Sequence, residues 1–223
     1  MRLIGINGGT FDPIHYGHLR PALEAMQLLQ MAEVQFVPCF QPVHKGQPQV
    51  SAAQRCQMIE RAIEAQPQFV LNKIEIEQGG PSYMVQTLKA LKPDFANEAL
   101  VLMMGTDAFA KFCSWHQWQR ILALSNILIM HRPGVNVLSD AAQQGASLSN
   151  EESLWLQRKV ESFTCDHGQI MELAVTQLDI SSTQIRQYLQ SGMGVDYLTP
   201  QSVVQYMQQN QLYQPDLLQN QGA

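Results

Sequence analysis

Apolar residues fall along the chain in two rhythms, short unbroken runs and longer stretches at helical spacing, and the two alternate from the start. Leu3, Ile4 and Ile6 predict a buried strand over residues 3–6. Leu19, Leu23, Met26 and Leu29/Met31 recur at helical intervals and predict a helix over 16–31. Val34-Gln35-Phe36-Val37 reads as a second strand stopped by Pro38, and residues 41–50, with two prolines and a glycine, read as a long loop. Ser51 followed by Gln54 is a capping box that opens a helix through Met58, Ile59, Ala62 and Ile63. Residues 69–71 and 73–76 read as strand, and Gly79-Gly80-Pro81-Ser82 as a turn into a helix that ends near Leu91. The runs 100–104 and 127–130 contain no polar position, the pattern of central parallel strands covered on both faces.

Alternating strands and helices of this kind predict an α/β fold: a doubly wound, mainly parallel Rossmann-like sheet with helices on both faces. Residues 135–150 are polar and read as a loop or insertion, and residues 181–213 as a short helical C-terminal part at the sheet's carboxyl end. A single domain over 1–223 is expected, since α/β domains run to about 250 residues.

Composition narrows the function more than the fold. Hydrophobic residues make up 45% of the 223 and charged residues 15%, which excludes disorder, collagen and coiled coil. The net charge of −5 argues against a broad nucleic-acid footprint, which needs a basic face. Cys39, Cys56, Cys113 and Cys165 are scattered, so neither structural zinc nor a dithiol centre is indicated. The longest apolar stretch, 121–130, is broken by Ser125 and Asn126 and falls well short of the ~20 residues of a membrane span. The expectation is a cytoplasmic protein that binds neither membrane nor nucleic acid; monomer and homo-oligomer both stay open.

The chemistry concentrates at two places. The first strand ends in Asn7-Gly8-Gly9-Thr10-Phe11-Asp12-Pro13-Ile14-His15-Tyr16-Gly17-His18. In an open α/β sheet, ligands lie beyond the carboxyl ends of the strands. There Gly8 and Gly9 let backbone N–H groups approach an anion, and the next helix offers its N-terminus. This turn is neither a dinucleotide fingerprint nor a P-loop. His15 and His18, with only Gly17 and Tyr16 between them, can aim two imidazoles at one point above the turn. Capping or packing is the plainer role for either ring alone; the pair after a glycine turn favours an anion site, and a metal pair lacks a third ligand nearby. The second place is Ile180-Ser181-Ser182-Thr183-Gln184-Ile185-Arg186, a capped helix start with an arginine near its positive end, where a cation is unfavourable by ~0.3–1 kcal/mol. An anion would offset that cost. An ordinary capped surface helix is the plainer alternative.

Together these segments resemble the His-x-Gly-His nucleotidyltransferase superfamily, and more closely the bacterial nicotinate-mononucleotide adenylyltransferases. The resemblance extends through Pro42-Val43-His44-Lys45, Pro81-Ser82-Tyr83 with Thr87-Leu88, Gly105-Thr106-Asp107, Trp115-His116-Gln117-Trp118, Arg132-Pro133-Gly134 and the Tyr197 to Tyr213 ending, nearly the whole chain. Met84 stands where the family usually has Thr, and His116 where it usually has Tyr, near the pyridine carboxylate.

The resemblance implies transfer of the adenylyl group of ATP to nicotinate mononucleotide, yielding deamido-NAD and pyrophosphate, by direct in-line attack. It implies catalytic roles for His15, His18 and Arg186. ATP and phosphate contacts fall to Gly8, Gly9, Thr10, Phe11, Lys45, Ser182 and Thr183. Mononucleotide contacts fall to His44, Thr87, Asp107, Trp115, His116 and Arg132, with Trp115 stacking on the pyridinium. Mg2+ would be held by ATP oxygens and water, with no protein metal ligand. The alternatives are an adenylyltransferase for nicotinamide mononucleotide or phosphopantetheine, and a nucleotide sensor without turnover.

Overall fold

The computed structural model describes residues 1–43, 46–132, 134 and 147–214. The chain begins β1 (Leu3–Gly9), α1 (Tyr16–Leu28), β2 (Glu33–Pro38), β3 (Gln41–Pro42), α2 (Ala52–Ile63), β4 (Phe69–Leu71) and α3 (Ile74–Gln78). It continues with β5 (Pro81–Ser82), α4 (Met84–Leu91), β6 (Ala99–Gly105), α5 (Thr106–Phe109), a 3-10 turn at Phe112–Ser114, α6 (Trp118–Leu122) and β7 (Asn126–His131). After α7 (Asn150–Arg158) and β8 (Ile170–Ala174) come α8 (Ser182–Gln190) and α9 (Gln201–Gln209).

Six strands form one parallel sheet in the order β4-β2-β1-β6-β7-β8. From β1 the chain winds outward through β2 to β4, then returns to pair β6 on the other side of β1 and winds outward again. The order therefore reverses between β1 and β6, and the crevice at their carboxyl ends is where such sheets bind ligands.

The unbroken apolar runs follow from burial on both faces. Along β6, Val101 and Met103 pack into one core while Leu100, Leu102 and Met104 pack into another. β7 divides in the same way, Leu128 and Met130 to the first core, Ile127 and Ile129 to the second. α1, α2, α8 and α9 cover the first face, through residues such as Ala22, Met58, Ile185 and Val203. α4, α6 and α7 cover the second, through Leu88, Ile121 and Trp155. No helix among the described residues is long and apolar enough to cross a membrane.

Four local expectations need correction or refinement. Of residues 73–76, expected as strand, 74–76 are helical and Lys73 is the N-cap: α3 opens where the Asn72 side chain accepts from the Ile74 N–H. The alternation Ile-Glu-Ile-Glu imitated a strand, yet the charged Glu75 is the buried member. The helix expected over 16–31 stops at Leu28. The loop over 41–50 contains a two-residue strand, β3, paired parallel with β5. Of the expected 135–150 loop, 135–146 lie outside the described residues, and Asn150 already opens α7 behind the Ser149 cap.

Candidate active site

A cavity of about 770 Å³ opens at the carboxyl ends of β1 and β6, within the range of small-molecule and cofactor sites. One wall is the turn after β1: Gly8 to Asp12, then His15 and His18. The opposite wall is the start of α8, with Ser182, Thr183 and Arg186. Asp107 and Trp115 border the cavity beyond β6, beside the methionine side chains of Met84 and Met104.

The turn is held by packing and by hydrogen bonds from beneath. Phe11 sits at a φ of 52°, in the left-handed region that bulky residues avoid at a cost of order 1–3 kcal/mol. Packing holds it there: its ring is fully buried and lies edge-on to His18 at 5.1 Å. Beneath the turn, the buried Arg55 donates from Nη1 to the Thr10 carbonyl at 2.8 Å and from Nη2 to that of Phe40 at 3.4 Å.

His15 caps α1 and stacks on His18 with ring centroids 3.7 Å apart. Gly17 is required here, because a Cβ would lie 2.9 Å from His15 Nδ1 and 3.1 Å from the Ile180 carbonyl. The His15 N–H donates to His18 Nδ1 at 3.3 Å, so the proton of a neutral His18 sits on Nε2. His15 is 4% exposed, its Nδ1 is buried without a hydrogen-bond partner among the described residues, and burial lowers its pKa to about 4. The His15 ring is therefore neutral near pH 7, and an anion in the cavity would stabilise its charged form.

α8 begins as its sequence predicts, with Ser181 Oγ accepting from the Gln184 N–H at 3.1 Å. The Ser182 hydroxyl donates to the Pro13 carbonyl at 2.8 Å. Arg186, unfavourably placed near a helix N-terminus, donates from Nη1 to the Asp12 carbonyl at 2.6 Å and from Nη2 to Thr183 Oγ1 at 3.3 Å. The turn after β1 and the start of α8 are thus bonded to each other across 174 residues of sequence.

The structure brings together Gly8, Gly9, Thr10, Phe11, His15, His18, Asp107, Trp115, Ser182, Thr183 and Arg186 around one cavity. Three expected mononucleotide contacts stand outside its lining. Thr87 is 1% exposed and gives its hydroxyl to the Glu75 carboxylate, whose pKa burial raises. The His116 ring packs against Tyr83 at 4.7 Å, and Arg132 lies 3.7 Å from Asp179. His44 and Lys45 lie outside the described residues. Trp118 packs edge-on against the buried Phe112 at 6.0 Å, on the core side of its segment.

Asp12, Arg55 and Tyr213 were not expected in the site. Arg55 left a trace in the sequence, a charge on the same helical stripe as Met58, Ile59 and Ile63. Tyr213 left none.

The chain matches the cytidylyltransferase-like family over residues 6–188. It is 53% identical over 213 residues to the "probable nicotinate-nucleotide adenylyltransferase" of Hydrogenovibrio crunogenus, covering 96% of this chain and 98% of that one. The chain belongs to the nicotinate-nucleotide adenylyltransferase family. A second member, from Methylococcus capsulatus, is 38% identical over 212 residues, 95% of this chain and 99% of its own. In three dimensions the fold is similar to that of the Plasmodium falciparum nicotinic acid mononucleotide adenylyltransferase complexed with NaAD, with a TM-score of 0.70 at 18% identity over 96% of this chain and 98% of that one.

Proposed function

We propose that this chain joins ATP to nicotinate mononucleotide, forming nicotinate adenine dinucleotide and pyrophosphate. The observation that carries this reading is the convergence of two imidazoles, a guanidinium and a helix N-terminus on one cavity above the Gly8-Gly9 turn.

A 5′-phosphate oxygen of the mononucleotide attacks the α-phosphorus of ATP. The bond to the bridging oxygen breaks, and pyrophosphate carries its electron pair away. The nucleophile is already ionised, because the second pKa of a phosphate monoester is about 6. The site therefore needs no general base. Catalysis reduces to alignment and charge neutralisation. The His18 Nε2–H donates to the reacting phosphates, with the His15 ring behind it. Backbone N–H groups of Gly9, Thr10 and Phe11 cradle the triphosphate, and Ser182, Thr183 and Arg186 hold the departing pyrophosphate. Trp115 stacks on the pyridinium, a contact of ~0.5–2 kcal/mol, and Asp107 takes the ribose hydroxyls.

ATP brings Mg2+ with it. Phosphate oxygens and water would hold it, since Mg2+ keeps several waters and is usually bound through substrate phosphates. The four cysteines are thiols rather than disulfides, which suits a reducing cytoplasm.

One observation favours a broader acceptor range. Met84 lines the cavity where the family usually offers a hydroxyl, while His116 and Arg132 stand outside the lining. Nicotinamide mononucleotide is thus the second candidate. The test is pyrophosphate release from ATP with each mononucleotide, with the dinucleotide product weighed by mass spectrometry. Release with nicotinate mononucleotide is expected, and a fall in kcat of roughly 10²–10³-fold in His18→Ala, the scale of losing one donor to transition-state charge. ATP binding without release from any mononucleotide would make the chain a sensor.

A further inference from the structure

We infer that Tyr213 is a positioning residue that acts through Asp12 to keep the Arg186 charge available to the triphosphate, an inference that rests on the adenylyl-transfer reading. Asp12 is 4% exposed and both its carboxylate oxygens have partners. Oδ1 accepts from the Tyr213 hydroxyl at 2.6 Å, and Oδ2 accepts from the Gln49 N–H at 2.9 Å. Arg186 bonds the main-chain carbonyl of Asp12 instead, and its Nη1 stays 3.8 Å from Oδ2, close enough for attraction but beyond a hydrogen bond.

This geometry is selective. A buried carboxylate beside a guanidinium ordinarily forms a short bidentate pair, which would satisfy the arginine and remove its donors from a ligand. Here two neutral donors occupy the carboxylate, and Arg186 is held by its own helix and by a carbonyl. Its Nε is buried without a partner among the described residues. Burial and the Asp12 charge push the Tyr213 pKa upward, so the phenol stays protonated and keeps donating. Removing that donor frees Oδ1, and the carboxylate can then turn onto Arg186 and compete with ATP.

The test is a double-mutant cycle of Tyr213→Phe with Arg186→Ala, read in steady-state kinetics and melting temperature. In the wild-type background, Tyr213→Phe is expected to raise KM for ATP and lower kcat by about 10-fold in kcat/KM, with KM for the mononucleotide unchanged. In the Arg186→Ala background the same substitution should change kcat/KM less than twofold. A loss of equal size in both backgrounds, or wild-type kinetics in folded Tyr213→Phe, would overturn the inference. If Tyr213→Phe does not fold alone, it is read in the Asp12→Asn background, where no carboxylate remains to turn onto Arg186: kcat/KM for ATP within twofold of Asp12→Asn itself is expected, and a further loss of about 10-fold would overturn the inference. A wild-type chain that turns over no mononucleotide would refute the adenylyl-transfer reading instead, so the two failures are distinguishable.

Discussion

Burying the His15 imidazole carries an energetic cost. Burial lowers its pKa to about 4, against an ordinary value near 6.5 in the unfolded chain. As pH falls below 6.5 the unfolded chain takes up a proton that the folded chain refuses, so stability is lost between about pH 6.5 and pH 4 and levels off below. The shift corresponds to a loss of about 3 kcal/mol. Urea unfolding at pH 7 and pH 4 should show the wild type losing about that much more stability than His15→Gln; parallel losses would mean the ring is not held neutral. An imidazole kept neutral without ligand, its Nδ1 lacking a partner among the described residues, is poised to gain most when a polyanion enters. Which residues face the cavity was partly legible at this scale. Two histidines around Gly17 implied convergence, and a Cβ at Gly17 would indeed meet His15. Thr87 shows the limit, because its burial against Glu75 is set by α3 and α4 packing, which spacing along the chain does not encode.

At the scale of elements, α8 is the part of the site most dependent on local sequence. Ser181 caps it, Ser182 ties it to the turn after β1, and Arg186 crosses to Asp12. Replacing Ser181 with Ala should cost ~1 kcal/mol in chemical denaturation, the usual worth of such a cap; a loss below ~0.3 kcal/mol would show that the helix start is held by its other ties. The capped start of α8 and the central strands β6 and β7 are legible in the sequence because a Ser-x-x-Gln cap and an unbroken apolar run of four or five residues are each compatible with few local structures. α3 is not, because Ile74 and Ile76 alternate with glutamates in the rhythm of a strand while Glu75, not an isoleucine, is the residue turned furthest inward.

Across the whole molecule, the C-terminal helices complete what the first strand begins. Tyr16 donates its N–H to the Leu198 carbonyl, Thr199 donates to Ile14, and Tyr213 to Asp12. The turn that leads into α1, with its two histidines, is thus gripped at Asp12, Ile14 and Tyr16 by chain roughly two hundred residues away. These long-range bonds cannot be read from any local window, so the Tyr197 to Tyr213 ending gave no sign that Tyr213 reaches Asp12. The most direct test is calorimetric titration of a non-hydrolysable ATP analogue with Mg2+ into the wild type, His18→Ala and Arg186→Ala, each with its melting temperature recorded. One triphosphate gripped from both ends of the chain requires each folded variant to bind about 10–100-fold more weakly, the worth of a charge-assisted hydrogen bond of ~1.5–3 kcal/mol. Wild-type affinity in either folded variant would contradict it.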